Sequence, residues 1–197
     1  EEPGESKRSV EFRMEDDEGE YVWLEAAGVD LRDTELGGIV VNAREITERK
    51  RREKEREATV EVLKSVYEVT TDQSLSFGEK VDGLLEAGRE YLDLPNGFLT
   101  RIERGNTGSE EGEQSIVEAN GSHELLQPGE SCPLPKSYCR KTIRSPELMT
   151  VTNAPESGWT GDPAYEVFGL DTYIAGKVTA GGELYGTLCF ASEEPRG

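Results

Sequence analysis

Histidine occurs once in the 197 residues, at His123, and cysteine three times, at Cys132, Cys139 and Cys189. A single histidine gives a Ser-His-Asp relay no independent support. Gly121, Pro128 and Gly129 around it also break any phospho-acceptor helix, so it reads as a loop histidine. Three cysteines without a C-x-x-C pair exclude a disulfide framework and the common zinc spacings, and read as free thiols in a reducing cytosol. Lysine is scarce, at eight against fourteen arginines. Apolar runs are short as well. Ile39-Val40-Val41 is typical, nothing approaches a membrane span, and no stretch reads as a signal peptide. The 22 glycines form neither a P-loop nor a dinucleotide pattern.

Acid is what the chain has in excess: 41 Asp and Glu against 22 Lys and Arg, for a formal net charge of -19. Such a body repels phosphate backbones, which argues against direct nucleic-acid binding. The acids are spread along the chain, and dense carboxylates with few lysines point to work in high salt, where self-repulsion is screened. Glu48–Glu57, ERKRREKERE, is the one basic concentration, with six of the 22 basic residues. Its residues are strong helix formers without Gly or Pro, and Glu48–Arg52, Arg49–Glu53 and Arg51–Glu55 stand at i,i+4 spacing. Past it, Thr59, Val62, Val66 and Val69 make an apolar stripe flanked by Leu63 and Tyr67. A continuous helix is therefore expected over about Thr47–Thr70.

Before this helix lie three strand-like stretches, Ser9–Met14, Tyr21–Val29 and Glu35–Ala43, too few to bury both faces of a sheet. After it, Ser76 and Glu79 form a capping box ahead of a helix to Leu92 whose apolar face is Phe77, Val81, Leu84, Leu85, Gly88 and Leu92. Strands are expected over Phe98–Glu103 and Gln114–Ala119, joined by a polar loop, Arg104–Gly112. The stretch Asn120–Asp171 is irregular, with a short helix over Lys136–Ile143, a strand over Leu148–Thr152, and a second short helix capped by Asp162, opened by Pro163 and closed by Gly169. A hairpin of Tyr173–Thr179 and Glu183–Ser192 ends the chain.

The segment EGEYVWLEAAGVDLRDTELGGIVVNAREITERK, Glu18–Lys50, resembles the C-terminal end of a PAS domain, with Glu45 where that family's exit motif usually has Asp. GFLTRIE at Gly97–Glu103, SYCRKTI at Ser137–Ile143, GWTGDPAYEVFGLDTYI at Gly158–Ile174 and GELYGTLCFA at Gly182–Ala191 resemble the GAF domains of haloarchaeal sensor proteins, including PAS/GAF histidine kinases and bacterio-opsin-activator-like regulators. The resemblance implies an α+β fold: a GAF-like central antiparallel sheet with helices mainly on one side, preceded by a partial PAS β-meander and a linker helix. The expected organisation is residues 1–45 as PAS strands, 46–70 as a signalling helix and 58–197 as a GAF domain without its final helix. It implies a cytoplasmic sensory module that binds a small ligand or dimerises through the linker and GAF helices. Its signal would pass to a histidine kinase or DNA-binding output outside these residues.

Tyr138, Cys139, Trp159, Tyr165, Phe168 and Tyr173 are the candidate ligand pocket, although the same rings would also serve to fill a core poor in large residues. No cofactor is specified. Cys132, Cys139 and His123 are candidate soft-metal ligands without a known spacing, for which inert thiols are the plainer account. Bilin attachment through Cys139 is disfavoured because Arg140, not His, follows it, and the cyclic-nucleotide GAF signature is absent. No catalytic residue is assigned. The alternatives are a thiol redox enzyme, such as the GAF-type free methionine sulfoxide reductases, and a pure dimerisation scaffold.

Overall fold

The computed structural model describes residues 8–32, 35, 37–104 and 112–196. The tip of the predicted Arg104–Gly112 loop lies outside them. The chain divides into two compact units, Glu1–Val60 and Glu61–Gly197.

In the first unit β1 (Arg8–Glu15), β2 (Tyr21–Leu31) and β3 (Gly38–Glu45) form an antiparallel sheet in that order. Alternation puts Val10, Phe12 and Met14 opposite Ala26, Leu24 and Val22. Val10, Met14 and Val41 stay 59%, 50% and 61% exposed, so this apolar face is uncovered among the described residues. Helix α1 (Thr47–Thr71) follows directly and contains the whole charged run. Its start is fixed to β2: the Trp23 N–H donates to Thr47 Oγ1 at 2.9 Å, and the Ile46 N–H to the Trp23 carbonyl at 2.8 Å. Within the helix Glu48 pairs with both Arg51 and Arg52, at 2.8 and 2.9 Å, and Arg51 reaches Glu55 at 3.8 Å. Arg49 turns instead to Glu11 of β1, at 2.7 Å, where Lys50 also arrives at 2.7 Å. A strand carboxylate thus supplants the expected Glu53 partner.

The second unit is a six-stranded antiparallel sheet in the order β6-β5-β4-β9-β8-β7. Its strands are β4 (Asn96–Arg104), β5 (Gly112–Asn120), β6 (Ser131–Pro133), β7 (Met149–Val151), β8 (Thr172–Ala180) and β9 (Glu183–Ser192). Helix α2 (Phe77–Leu92) covers one face, opened by the reciprocal Ser76–Glu79 capping box, which contributes about 1 kcal/mol. Val81 and Leu85 pack there with Leu94, Leu99 and Phe190. Gly88 makes this close: a Cβ on it would fall 2.2 Å from the Phe190 ring. The end of α1 meets α2 at Val69, opposite Gly83, and Lys80 donates to the Thr70 carbonyl at 3.0 Å. No residue of α1 itself is buried.

The other face is closed by the irregular segment, which holds a 3-10 turn at Leu134–Lys136 and the short helices α3 (Cys139–Thr142) and α4 (Pro163–Phe168). The single helix expected over Lys136–Ile143 is thus two pieces, because Ser137 between them is extended. The α+β architecture, a central antiparallel sheet with its long helices on one side, is the one expected.

Candidate functional site

Alternation on the central strands aims Phe98, Thr100 and Ile102 of β4, Gln114 and Ile116 of β5, Tyr173 of β8, and Thr187 and Cys189 of β9 at the irregular segment. All eight are buried. Tyr138 descends onto them from the segment. Its ring stacks on Trp159 at 5.1 Å and on Tyr173 at 5.0 Å, and its hydroxyl donates to the Leu170 carbonyl at 3.1 Å. Phe168 tilts against Tyr138 at 6.3 Å. Burial pushes the Tyr138 phenol up, so it stays a neutral donor.

Four of the six candidate pocket residues, Tyr138, Cys139, Phe168 and Tyr173, converge on one interior cavity of about 10 Å³. That is room for about one water. Phe98, Gln114 and Leu126 complete its wall, and no sequence signal singles them out. Trp159 stands behind Tyr138 as its outer stacking partner. Tyr165 is spent elsewhere, donating to the Asp171 carboxylate at 2.9 Å beside the open groove that holds His123. A cleft of about 60 Å³ lies next to the interior cavity and shares Gln114 and Phe168 with it; Cys132 is on its wall.

Beneath the rings runs a polar seam. Thr100 and Thr187 hydroxyls meet at 2.7 Å. Cys139 Sγ lies 3.0 Å from Thr187 Oγ1, and Cys189 Sγ 3.1 Å from the same oxygen. The Tyr173 hydroxyl is 3.0 Å from Thr142 Oγ1, 3.4 Å from Cys189 Sγ and 3.8 Å from Cys139 Sγ. Hydrogen bonding from the Cys189 thiol, with that from Thr187, Ser137 and Tyr173, draws Cys139 down against the opposing effect of burial. Burial pushes Cys189 well up. Cys132, away from this seam, is pushed up to about 11 by burial.

The three soft-metal candidates are placed differently. His123 Nδ1 accepts from the Leu125 N–H at 3.2 Å, and its Nε2 lies 3.0 Å from the Phe168 carbonyl, so both nitrogens face backbone groups. Among the described residues no three His, Cys, Asp or Glu side chains gather where they could hold a metal ion.

The wall that carries Tyr138 is latched at Asp162, the N-cap of α4. Its carboxylate takes two bonds from Arg140, both 2.7 Å, and one from Lys141 at 2.8 Å. Lys141 also sits 4.5 Å from the centre of the Trp159 ring. Burial would raise the Asp162 carboxyl, but these bonds and the Ala164 N–H outweigh it and hold it at about 2. A depressed carboxyl contributes stability above its unfolded value and loses it as pH falls through the folded one. Asp162→Asn is expected to lower stability at pH 7 by about 2 kcal/mol, typical of hydrogen bonds to charged groups. The gap to the parent should close between about pH 4 and about pH 2, as followed by thermal melts. A gap that stays constant over that range would assign the loss to packing.

No family model and no curated protein matches the chain. Solved structures do. The GAF domain of an Acinetobacter phosphoenolpyruvate-protein phosphotransferase superposes with a TM-score of 0.52 and 12% identity, over 71% of this chain and 78% of that one. The phycoerythrobilin-bound GAF domain of a cyanobacterial phytochrome gives 0.54 and 10%, over 71% and 85%. The free methionine-R-sulfoxide reductase of Neisseria meningitidis, in complex with its substrate, gives 0.51 and 12%, over 72% and 77%. The fold is GAF-like. At these identities the likeness carries the fold, and it spans a domain of a phosphotransferase, a domain of a phytochrome and a reductase.

Proposed function

We propose that this chain is the sensory and relay part of a cytoplasmic, salt-adapted signal-transduction protein that works as a parallel homodimer joined along α1. The observation that carries this is the uncovered stripe of that helix. Val60, Leu63 and Tyr67 are 59%, 61% and 67% exposed. They stand at i, i+3 and i+7 on a helix without a buried residue. Pairing two copies covers these side chains and leaves the charged stem in water. The helix begins at the strands that resemble the end of a PAS domain and ends at the GAF-like unit, so a rearrangement in either biases the pair. The resemblance to haloarchaeal sensors makes a histidine kinase or a DNA-binding regulator the output.

Each copy carries a formal charge of -19, so association should be weak in dilute buffer and favoured as salt screens the repulsion. Light scattering across a salt series from roughly 0.1 M to about 3 M should show the mass doubling toward high salt. A monomer throughout, with circular dichroism intact, would remove the proposal.

A second reading, binding of a small ligand at the aromatic site, is favoured by the cleft that shares Gln114 and Phe168 with the interior cavity. Opening the site requires Phe168 to move, which would tie occupancy to the position of α4. We assign no catalysis to these residues. The cavity at Cys139 has room for about one water, far too little for a methionine sulfoxide, and Cys132, half-buried, is held as a thiol. Free methionine sulfoxide with a thiol reductant should give no turnover. Reduction that is lost in Cys132→Ser or Cys139→Ser would put the enzyme reading in place of the relay.

A further inference from the structure

Cys139, Tyr173 and Cys189 pack in the hydrophobic core, yet their polar atoms meet the hydroxyls of three buried threonines. Six polar groups, the hydroxyls of Thr100, Thr142, Tyr173 and Thr187 and the thiols of Cys139 and Cys189, sit fully buried where apolar side chains would fill the space without a polar desolvation cost. Groups that break the core's rule and satisfy one another mark a place where chemistry, not packing, sets the residue types. Both sulfurs converge on the same two hydroxyls, Thr187 Oγ1 at 3.0 and 3.1 Å and the Tyr173 hydroxyl at 3.8 and 3.4 Å. One sulfur is on a central strand. The other is on α3, a four-residue helix in the irregular wall, outside the sheet.

We infer that Cys139 and Cys189 are an oxidisable dithiol, with Cys139 the site of attack by a small hydroperoxide and Cys189 the resolving thiol. In the first step the Cys139 thiolate attacks a peroxide oxygen. An S–O bond forms, the O–O bond breaks, sulfur loses two electrons, and the leaving oxygen takes up a proton as water or an alcohol. In the second, the Cys189 thiol attacks that sulfur, an S–S bond forms, and the sulfenic oxygen departs as water with the Cys189 proton. With hydrogen peroxide the balance is two thiols and one peroxide to one disulfide and two waters. The product is neutral, which suits a seam built from hydroxyls and thiols.

Access and selectivity have separate causes. Cys139 lines the interior cavity, which holds one water-sized guest, and Gln114 and Phe168 are the wall residues that this cavity shares with the outer cleft. A turn of Phe168 joins the two, and a hydroperoxide as small as hydrogen peroxide can follow. Cys132 is the more exposed thiol, on the cleft itself, but burial holds it protonated to about pH 11, whereas hydrogen bonds from Cys189 and Thr187 draw Cys139 down. Cys139 alone of the three thiols lines the inner cavity, and Cys189 stands across a shared hydroxyl to trap the oxidised sulfur, so the disulfide should form there and not at Cys132.

The test uses the full chain, reduced and then treated at pH 7 with hydrogen peroxide. It is quenched with N-ethylmaleimide in denaturant and weighed by mass spectrometry. Before treatment the protein should take up one maleimide at each of its three cysteines. Afterwards it should take up one, at Cys132, with a Cys139–Cys189 cross-linked peptide in the digest. Cys132→Ser should still oxidise, leaving no site for maleimide. Cys189→Ser, or Cys189→Ala where circular dichroism shows the serine variant unfolded, should stop at a dimedone-reactive Cys139. Tyr173→Phe, which keeps the stacking and removes the hydroxyl facing both sulfurs, should slow the reaction several-fold. First modification at Cys132, a cross-link through Cys132, or full alkylation after treatment of the folded protein would each overturn the assignment.

Discussion

Gly186→Ala is expected to unfold the GAF-like unit or to lower its melting temperature by roughly 10 °C or more, a loss on the order of 3 kcal/mol. Gly186 lies in β9 opposite Arg101 of β4, at the junction of the two central strands. A Cβ there would fall 1.8 Å from the Thr100 carbonyl oxygen and 2.7 Å from its carbon. These are backbone atoms held in a ladder, so no rotamer change relieves the overlap and β4 must separate from β9. The same close approach lets the Thr100 and Thr187 hydroxyls meet at 2.7 Å, so the seam depends on this glycine too. Gly176→Ala is the matched control on β8. Its Cβ would meet only Leu148 Cδ2, at 2.9 Å, the tip of a side chain that is 68% exposed and free to turn. It should shift the melt by no more than a few degrees. Equal losses in the two variants would mean that the junction of β4 and β9 has room for a side chain.

What can be read from the sequence divides by range. The capping box at Ser76 and Glu79, the Asp162-Pro163 start and Gly169 stop of α4, and the closing hairpin are local devices, and each forms where the residues put it. Tyr138, Cys139, Phe168 and Tyr173 are named together from the sequence as candidate pocket residues, and the fold brings the four to one cavity. Trp159 and Tyr165 carry the same aromatic signal, yet one backs the wall and the other binds Asp171 outside it; ring count alone does not give direction. Gln114 is hidden in a strand that alternates like any other. The seam is hidden most completely. Thr100 and Thr187 are 87 positions apart and Cys139 and Thr187 are 48 apart, and nothing in the spacing of three lone cysteines shows that two of them share a hydroxyl. Pairing of β4 with β9 brings the two threonines together and α3 adds Cys139 from outside the sheet, long-range contacts with no local trace. Arg49 departs from the helix rule for a similar reason: Glu53 has the right spacing, but Glu11 of a distant strand is the carboxylate that reaches it.

Under the proposed pairing, Leu63→Glu with Tyr67→Glu should convert the high-salt dimer to a monomer, weakening association about 100-fold, or about 3 kcal/mol, and leave the sheet folded. The two side chains are 61% and 67% accessible, so a glutamate at either position meets water in the single chain. They lie one helical turn apart on the exposed stripe. In a parallel pair each would face its own copy, placing like charges together in the contact that excludes water. Molar salt screens the general repulsion between acidic copies but not a carboxylate that must be desolvated, so the defect should persist at every salt concentration. The neighbouring face gives the contrast. Val62, Val66 and Val69, the stripe expected from spacing, are half-buried in the single chain, and Val69 packs at Gly83 of α2. Val66→Glu with Val69→Glu should therefore lower the melting temperature of the second unit as well as its tendency to pair. If the Leu63 and Tyr67 variant keeps the mass of a dimer, the stripe is not the interface; if it unfolds, those side chains belong to a core and the exposed helix is not the element that pairs.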